Sequence, residues 1–149
     1  NRSQINVFNS VFAGFRIGLE ISGGNTSDAY ENGEAFVEHS LISGSRPGFF
    51  LENKPNSFDQ FDWFLNQMDG NDTLATNAQA GLGDPFNLAS PSFLPDAGSA
   101  VLSGADFSHP KLSGNSFIQP TSYIGAFGNE DWTAGWTNYD PQNTPYTVE

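Results

Sequence analysis

The chain carries seventeen Asp and Glu against five Lys and Arg, two His and no Cys. Its reactive potential therefore lies in carboxylates, amides and aromatic rings. Two acidic runs sit in turn-forming sequence, Asp69-Gly70-Asn71-Asp72 and Asn129-Glu130-Asp131. Asp69, Asn71 and Asp72 are the candidate Ca²⁺ ligands, since that hard cation takes oxygen donors. It takes about six to eight of them, more than either run supplies alone, and the EF-hand pattern is absent. The competing reading is a solvated acidic turn. Glycoside hydrolysis needs two facing carboxylates. Asp59/Asp62 and Glu130/Asp131 are pairs of that kind, but seventeen acids make such pairs inevitable. His39 and His109 are isolated, and no Ser-His-Asp order is legible. The chain reads as a non-enzyme.

Modification and ring stacking are the other chemistries on offer. Sequons for N-glycosylation start at Asn1, Asn25 and Asn71. Asp72-Thr73-Leu74 is similar to an aspartate-threonine-aliphatic acceptor, which makes Thr73 a candidate for O-glycosylation. Trp132, Trp136 and Tyr139 form either a platform for stacking sugars or a cap packed on the fold.

The elements that must position these groups are set by a stretch that occurs twice. Residues 3–20 and 33–50 share Val7/Val37, Ser10/Ser40, Gly14/Gly44, Arg16/Arg46 and Gly18/Gly48 at an offset of 30. Repeats of this length mark stacked units that bury their apolar faces against one another. In the first copy Ile5, Val7, Val11, Ala13, Phe15, Ile17, Leu19 and Ile21 all fall on odd positions, which predicts one shared strand face. Gly14 and Gly18 predict bends. The expectation is an all-β fold: a short right-handed parallel β-helix of two to three turns, with Val7 over Val37 and Arg16 over Arg46. The alternative is an antiparallel β-sandwich.

At 149 residues the chain is expected to be one β-rich domain. Residues 1–56 hold the repeated turns, with a loop over 22–33. The pattern predicts one capping helix over 57–69. Ser57 and Gln60 match a capping box there, and Phe58, Phe61, Leu65 and Met68 follow helical spacing. Residues 70–149 form a loop-rich closing segment in which Val101-Leu102-Ser103-Gly104 reads as a third, degenerate turn. A net charge of −12 would repel phosphate backbones and anionic lipid, which excludes nucleic acid as a partner. No apolar run approaches the length of a membrane span. Abundant Gly, Ser, Asn, Asp and Phe suit an extracellular β protein. The first residue, Asn1, implies a removed leader or a fragment.

The segment Asp84-Pro85-Phe86, then Leu94 and Gly98-Ser99-Ala100-Val101-Leu102-Ser103-Gly104, resembles the closing part of secreted bacterial right-handed parallel β-helix proteins of the pectate-lyase-like superfamily. Tyr123-Ile124-Gly125-Ala126-Phe127-Gly128 is similar to the segment that ends such domains. The stretch from Asp131 to Pro141 looks like the C-terminal region of a subset on secreted and cell-surface proteins. Ala100 stands where that pattern has proline, and Tyr123 where it has aspartate. The resemblance implies an extracellular or cell-surface location. A β-helix of few turns leaves its end strands unpaired. The expected function is therefore a glycosylated structural subunit whose copies join head to tail into a filament or surface array. The strand carrying Ile5 and Val7 is expected to complete a neighbour's sheet. The alternative is a non-catalytic carbohydrate-binding or cell-surface C-terminal module of a larger protein. Ca²⁺ is the one candidate cofactor, and glycans are the other candidate partners.

Overall fold

The computed structural model describes residues 3–45 and 58–145. The first repeat copy supplies strands β1 (Val7–Phe8) and β2 (Val11–Ala13), and the second supplies β3 (Val37–Glu38) and β4 (Leu41–Ser43). They pair in parallel at the expected offset. Val7 lies beside Val37, and Val11, Phe12 and Ala13 lie beside Leu41, Ile42 and Ser43. A further strand, β5 (Asp72–Leu74), pairs in parallel with the other side of β4, so the larger sheet has the order β2-β4-β5.

What joins the strands overturns the expected β-helix. Between β2 and β3 the chain passes through helix α1 (Gly24–Glu31), inside the stretch expected to be a loop. Between β4 and β5 it passes through α2 (Gln60–Asp62), which continues as a π-helical turn over Trp63–Gln67. An antiparallel hairpin follows, β6 (Leu82–Asp84) with β7 (Ser92–Pro95). Short 3₁₀ turns over Asn77–Ala80 and Ala100–Leu102 and a one-turn helix α3 (Pro110–Ser113) complete the set. The described residues thus form a mixed fold of small parallel and antiparallel sheets with short helices, and no closed coil of strands is present among them. The physical reason is that parallel neighbours need a crossover of roughly a dozen residues or more, and a helical crossover satisfies its own backbone. The thirty-residue repeat is therefore a strand–helix unit. Gly23 caps α1 without a side-chain hydrogen bond, and the first turn holds no acid. Burial of Ser27, Ala29 and Tyr30 holds this helix rather than local signals. The expected third turn at Val101 is instead the second 3₁₀ turn, and β5 is the real third strand.

The single odd-numbered face is corrected as well. Asn9 and His39 both adopt left-handed backbone angles, each with φ 50. Asn and His enter that region more readily than most residues. Gly70, with φ 66, occupies the corresponding corner before β5. The corner reverses the alternation. Val7 and Val37 pack with Ile42, Phe12, Trp63 and Phe64, whereas Val11 and Leu41 pack on the other side with Ala80, Val101 and Ile124. The central strand β4 is buried on both faces, as is usual for parallel strands, while β2 is half-buried.

The helix predicted over 57–69 is present in shortened form. Ser57 lies outside the described residues, and the observed cap is Asp59, whose carboxylate accepts from Phe61 N and Asp62 N. Gln60 serves the core. It is 1% exposed, and its amide exchanges two hydrogen bonds with the Ile21 backbone, Nε2 to O at 3.0 Å and N to Oε1 at 2.9 Å. The aromatic stripe is core: Phe58, Trp63 and Phe64 are buried, and Trp63 meets Tyr30 edge-on at 4.9 Å.

Candidate binding site: an open strand edge in an aromatic cleft

In a parallel ladder, alternate residues turn both backbone groups to the same neighbour. Ser10 O accepts from Leu41 N at 2.8 Å, and Gly14 N is shared between Asn77 Oδ1 at 2.9 Å and Ser43 O at 3.3 Å. Ser10, Phe12 and Gly14 therefore face β4, and Val11 and Ala13 face away from it. On that outer side the described residues make one backbone pairing, from Gly125 N to Asn9 O at 2.7 Å. Beyond it Ala126 and Phe127, together with the edge of β2, line a cleft of about 580 Å³.

Ser10 and β2 form one side of this cleft, and Val101 and Ile124 line it as well. Phe15, Phe86, Phe93 and Phe127 supply its aromatic walls. None of its lining residues is charged. The β6–β7 hairpin carries Pro85 and Phe86 against it. The loop between those strands is held by Asn87, whose backbone N and side-chain Nδ2 donate to Asp84 and whose Oδ1 accepts from Ala89 N and Ser90 N. Gly14 is required where it is. A Cβ there would lie 2.5 Å from the Phe86 ring, and its φ is +79.

From the cleft an aromatic row leads to the surface. Phe93 stacks on Phe127 at 5.2 Å, Phe127 on Trp132 at 5.4 Å, and Trp132 meets Trp136 at 5.8 Å. Both indole N–H groups are fixed to backbone: Trp132 Nε1 donates to Ala126 O at 2.9 Å and Trp136 Nε1 to Trp132 O at 2.6 Å. Thr133 is buried beneath them, with its hydroxyl on Asp131 and on Tyr139 Oη. Of the three predicted platform residues, the two tryptophans extend the row outward, and Tyr139 meets Phe93 at 6.4 Å.

The other candidates fall elsewhere. Asn71 sits at the strand corner. Its Oδ1 accepts from Ser40 N at 2.9 Å, and its Nδ2 donates to Val37 O at 2.6 Å and Phe64 O at 2.9 Å. That amide is fully engaged in the fold, which sets it against both ligation and glycosylation. Asp72 Oδ1 accepts from Thr73 N, and no group of three or more His, Cys, Asp or Glu among the described residues is placed to hold a metal ion. Thr73 lies half-buried in β5, Asn25 is exposed on α1, and Asn1 lies outside the described residues. Val7 already pairs within its own sheet, while Ile5 is exposed and its backbone O accepts from Tyr30 Oη. Arg16 is exposed, and Arg46 lies outside the described residues.

The candidate acids are tied into local structure. Asp59 is the helix cap. Asp62 accepts from Asn66 and Gln67, hydrogen bonds that hold its carboxyl below the usual range. Asp131 accepts from Thr133. His39 bonds Gly104 O, and His109 caps α3 between the rings of Phe8 and Phe36. No helix of the described residues is long and apolar enough to cross a membrane. Searches of family models, curated proteins and solved structures found no match to this chain.

Sequence reasoning missed the cleft. Its walls come from four Phe scattered between residues 15 and 127, brought together by the tertiary fold, as in the Phe93–Phe127 stack and the Gly14–Phe86 contact. The signal that was available is the left-handed corner at Asn9, which decides which residues of β2 point outward.

Proposed function

We propose that the chain is a non-catalytic structural subunit of an extracellular assembly, whose copies join head to tail by strand addition. The observation that carries this reading is the outer edge of β2, with Val11 and Ala13 turned into an uncharged aromatic cleft. An open edge beside apolar pockets is the setting in which an extended segment gains both backbone hydrogen bonds and side-chain burial. The joining edge is taken as β2 rather than the strand carrying Ile5 and Val7: each is paired on one side, with β4 and β3 respectively, and the aromatic cleft lies along β2. The donor is β5 of the next copy. It lies at the far end of the β2-β4-β5 order and runs in the same direction. Its preceding corner at Gly70 repeats those at Asn9 and His39. A copy displaced along the sheet would therefore continue the ladder already present.

Ala13→Pro tests the reading. It removes the outward N–H and leaves the bonds of Phe12 and Gly14 to β4 intact. The wild-type chain is expected to form larger species by light scattering and fibres by negative-stain microscopy. Assembly should strengthen with salt, because subunits of charge −12 repel one another and the screening length falls from about 30 Å at 0.01 M to about 3 Å at 1 M. Ala13→Pro should stay monomeric with an unchanged circular dichroism spectrum. A wild-type chain that remains monomeric at high concentration and high salt would end the proposal.

A further inference from the structure

The outer end of the aromatic row is a second surface, distinct from the strand edge. Trp136 is 70% exposed and Trp132 is 53% exposed. Exposed indoles of this kind normally cost a protein solubility, yet these two are held in place by their own N–H bonds to Trp132 O and Ala126 O. The turn beneath is fixed as well, by Asp131 accepting from Thr133 and by the Thr133–Tyr139 hydroxyl pair. Ring positions set in advance lose little entropy when a ligand lands on them. The inner face of Trp132 is already taken by Phe127, so Trp136 closes the row and presents the open face.

The charge around the row narrows the ligand. The described residues 112–145 contain no Lys or Arg and three acids, Glu130, Asp131 and Asp140. Anionic ligands would be repelled. The carboxylates of Glu130 and Asp131 flank the two rings in sequence and suit hydroxyl donors. A flat, partly apolar molecule with many hydroxyls and no negative charge meets both requirements. We infer that Trp136, backed by Trp132, stacks the pyranose face of a neutral glycan chain, with nearby acids accepting from its hydroxyls.

The probes are four neutral oligosaccharides, cellohexaose, xylohexaose, mannohexaose and chitohexaose, titrated against the intact chain while tryptophan emission and calorimetric heat are followed. At least one is expected to shift the emission and bind. Trp136→Ala should weaken that binding about tenfold or more, by loss of a stacked ring. Phe117→Ala, which removes a ring that is 91% exposed elsewhere, should leave it unchanged. Circular dichroism checks that both variants fold. Failure of all four sugars to bind would overturn the inference. So would binding that Trp136→Ala leaves intact, or binding of tetramethylammonium alone, which would mark a cation site. Ala13→Pro should bind the sugar as well as the wild type does, so loss of assembly and loss of sugar binding are separate outcomes.

Discussion

Gln60 shows at the scale of one residue how a polar group can be spent entirely on the fold. It is 1% exposed and replaces a strand partner for Ile21 by offering an amide with the same donor and acceptor spacing as a peptide. Removing it strands a buried N–H and a buried C=O, each of which carries a desolvation cost. Gln60→Leu is therefore expected to lower stability by about 2–4 kcal/mol in urea unfolding, despite being a change to a more apolar side chain. A loss near zero would mean that water reaches the Ile21 backbone. Asn71 follows the same logic, with three hydrogen bonds from one amide at the strand corner. Both residues look like ordinary polar positions in sequence. The backbone groups they serve belong to other parts of the chain, and nothing in the residues beside them announces that.

The elements were legible where the cause is local. The repeat offset of 30 set the register of β1 with β3 and of β2 with β4, because identical spacing puts equivalent residues side by side. The aromatic stripe marked the helix that carries Trp63 and Phe64 into the core. Where the cause is tertiary, legibility ended. Helix α1 lacks a capping side chain, so its stretch of Gly, Asn, Thr and Ser reads as a loop. Strand β5 shares no residue identity with the strands it extends, and only Gly70 betrays the corner it has in common with Asn9 and His39. That corner makes its own prediction. A Cβ at Gly70 would lie 2.3 Å from Nδ1 of His39, whose ring is held by Gly104 O. At Gly98, where φ is +86, a Cβ would meet nothing within 4 Å. Gly70→Ala is expected to cost about 1–3 kcal/mol, and more than Gly98→Ala, which bears only the backbone strain. Equal losses in thermal unfolding would show that the His39 ring moves aside freely.

On the scale of the molecule, a sheet whose central strand is covered on both faces still has two ends. One end is β5, and the other is β2, whose outer edge is capped among the described residues at Asn9, through Gly125. A charge of −12 works against chance association at such an edge, so pairing there must be favoured by the aromatic cleft and by salt. The same acids keep the exposed tryptophan row from attracting anionic surfaces. Amide hydrogen exchange, read residue by residue in dilute monomer and in concentrated assembled protein, tests the central claim most directly. In the monomer, Phe12 and Gly14 should be protected by β4, while Val11 and Ala13 exchange freely. On assembly Val11 and Ala13 should become protected too. Protection of all four in the dilute monomer, or no change at Val11 and Ala13 when larger species form, would contradict an open edge at β2 that receives another strand.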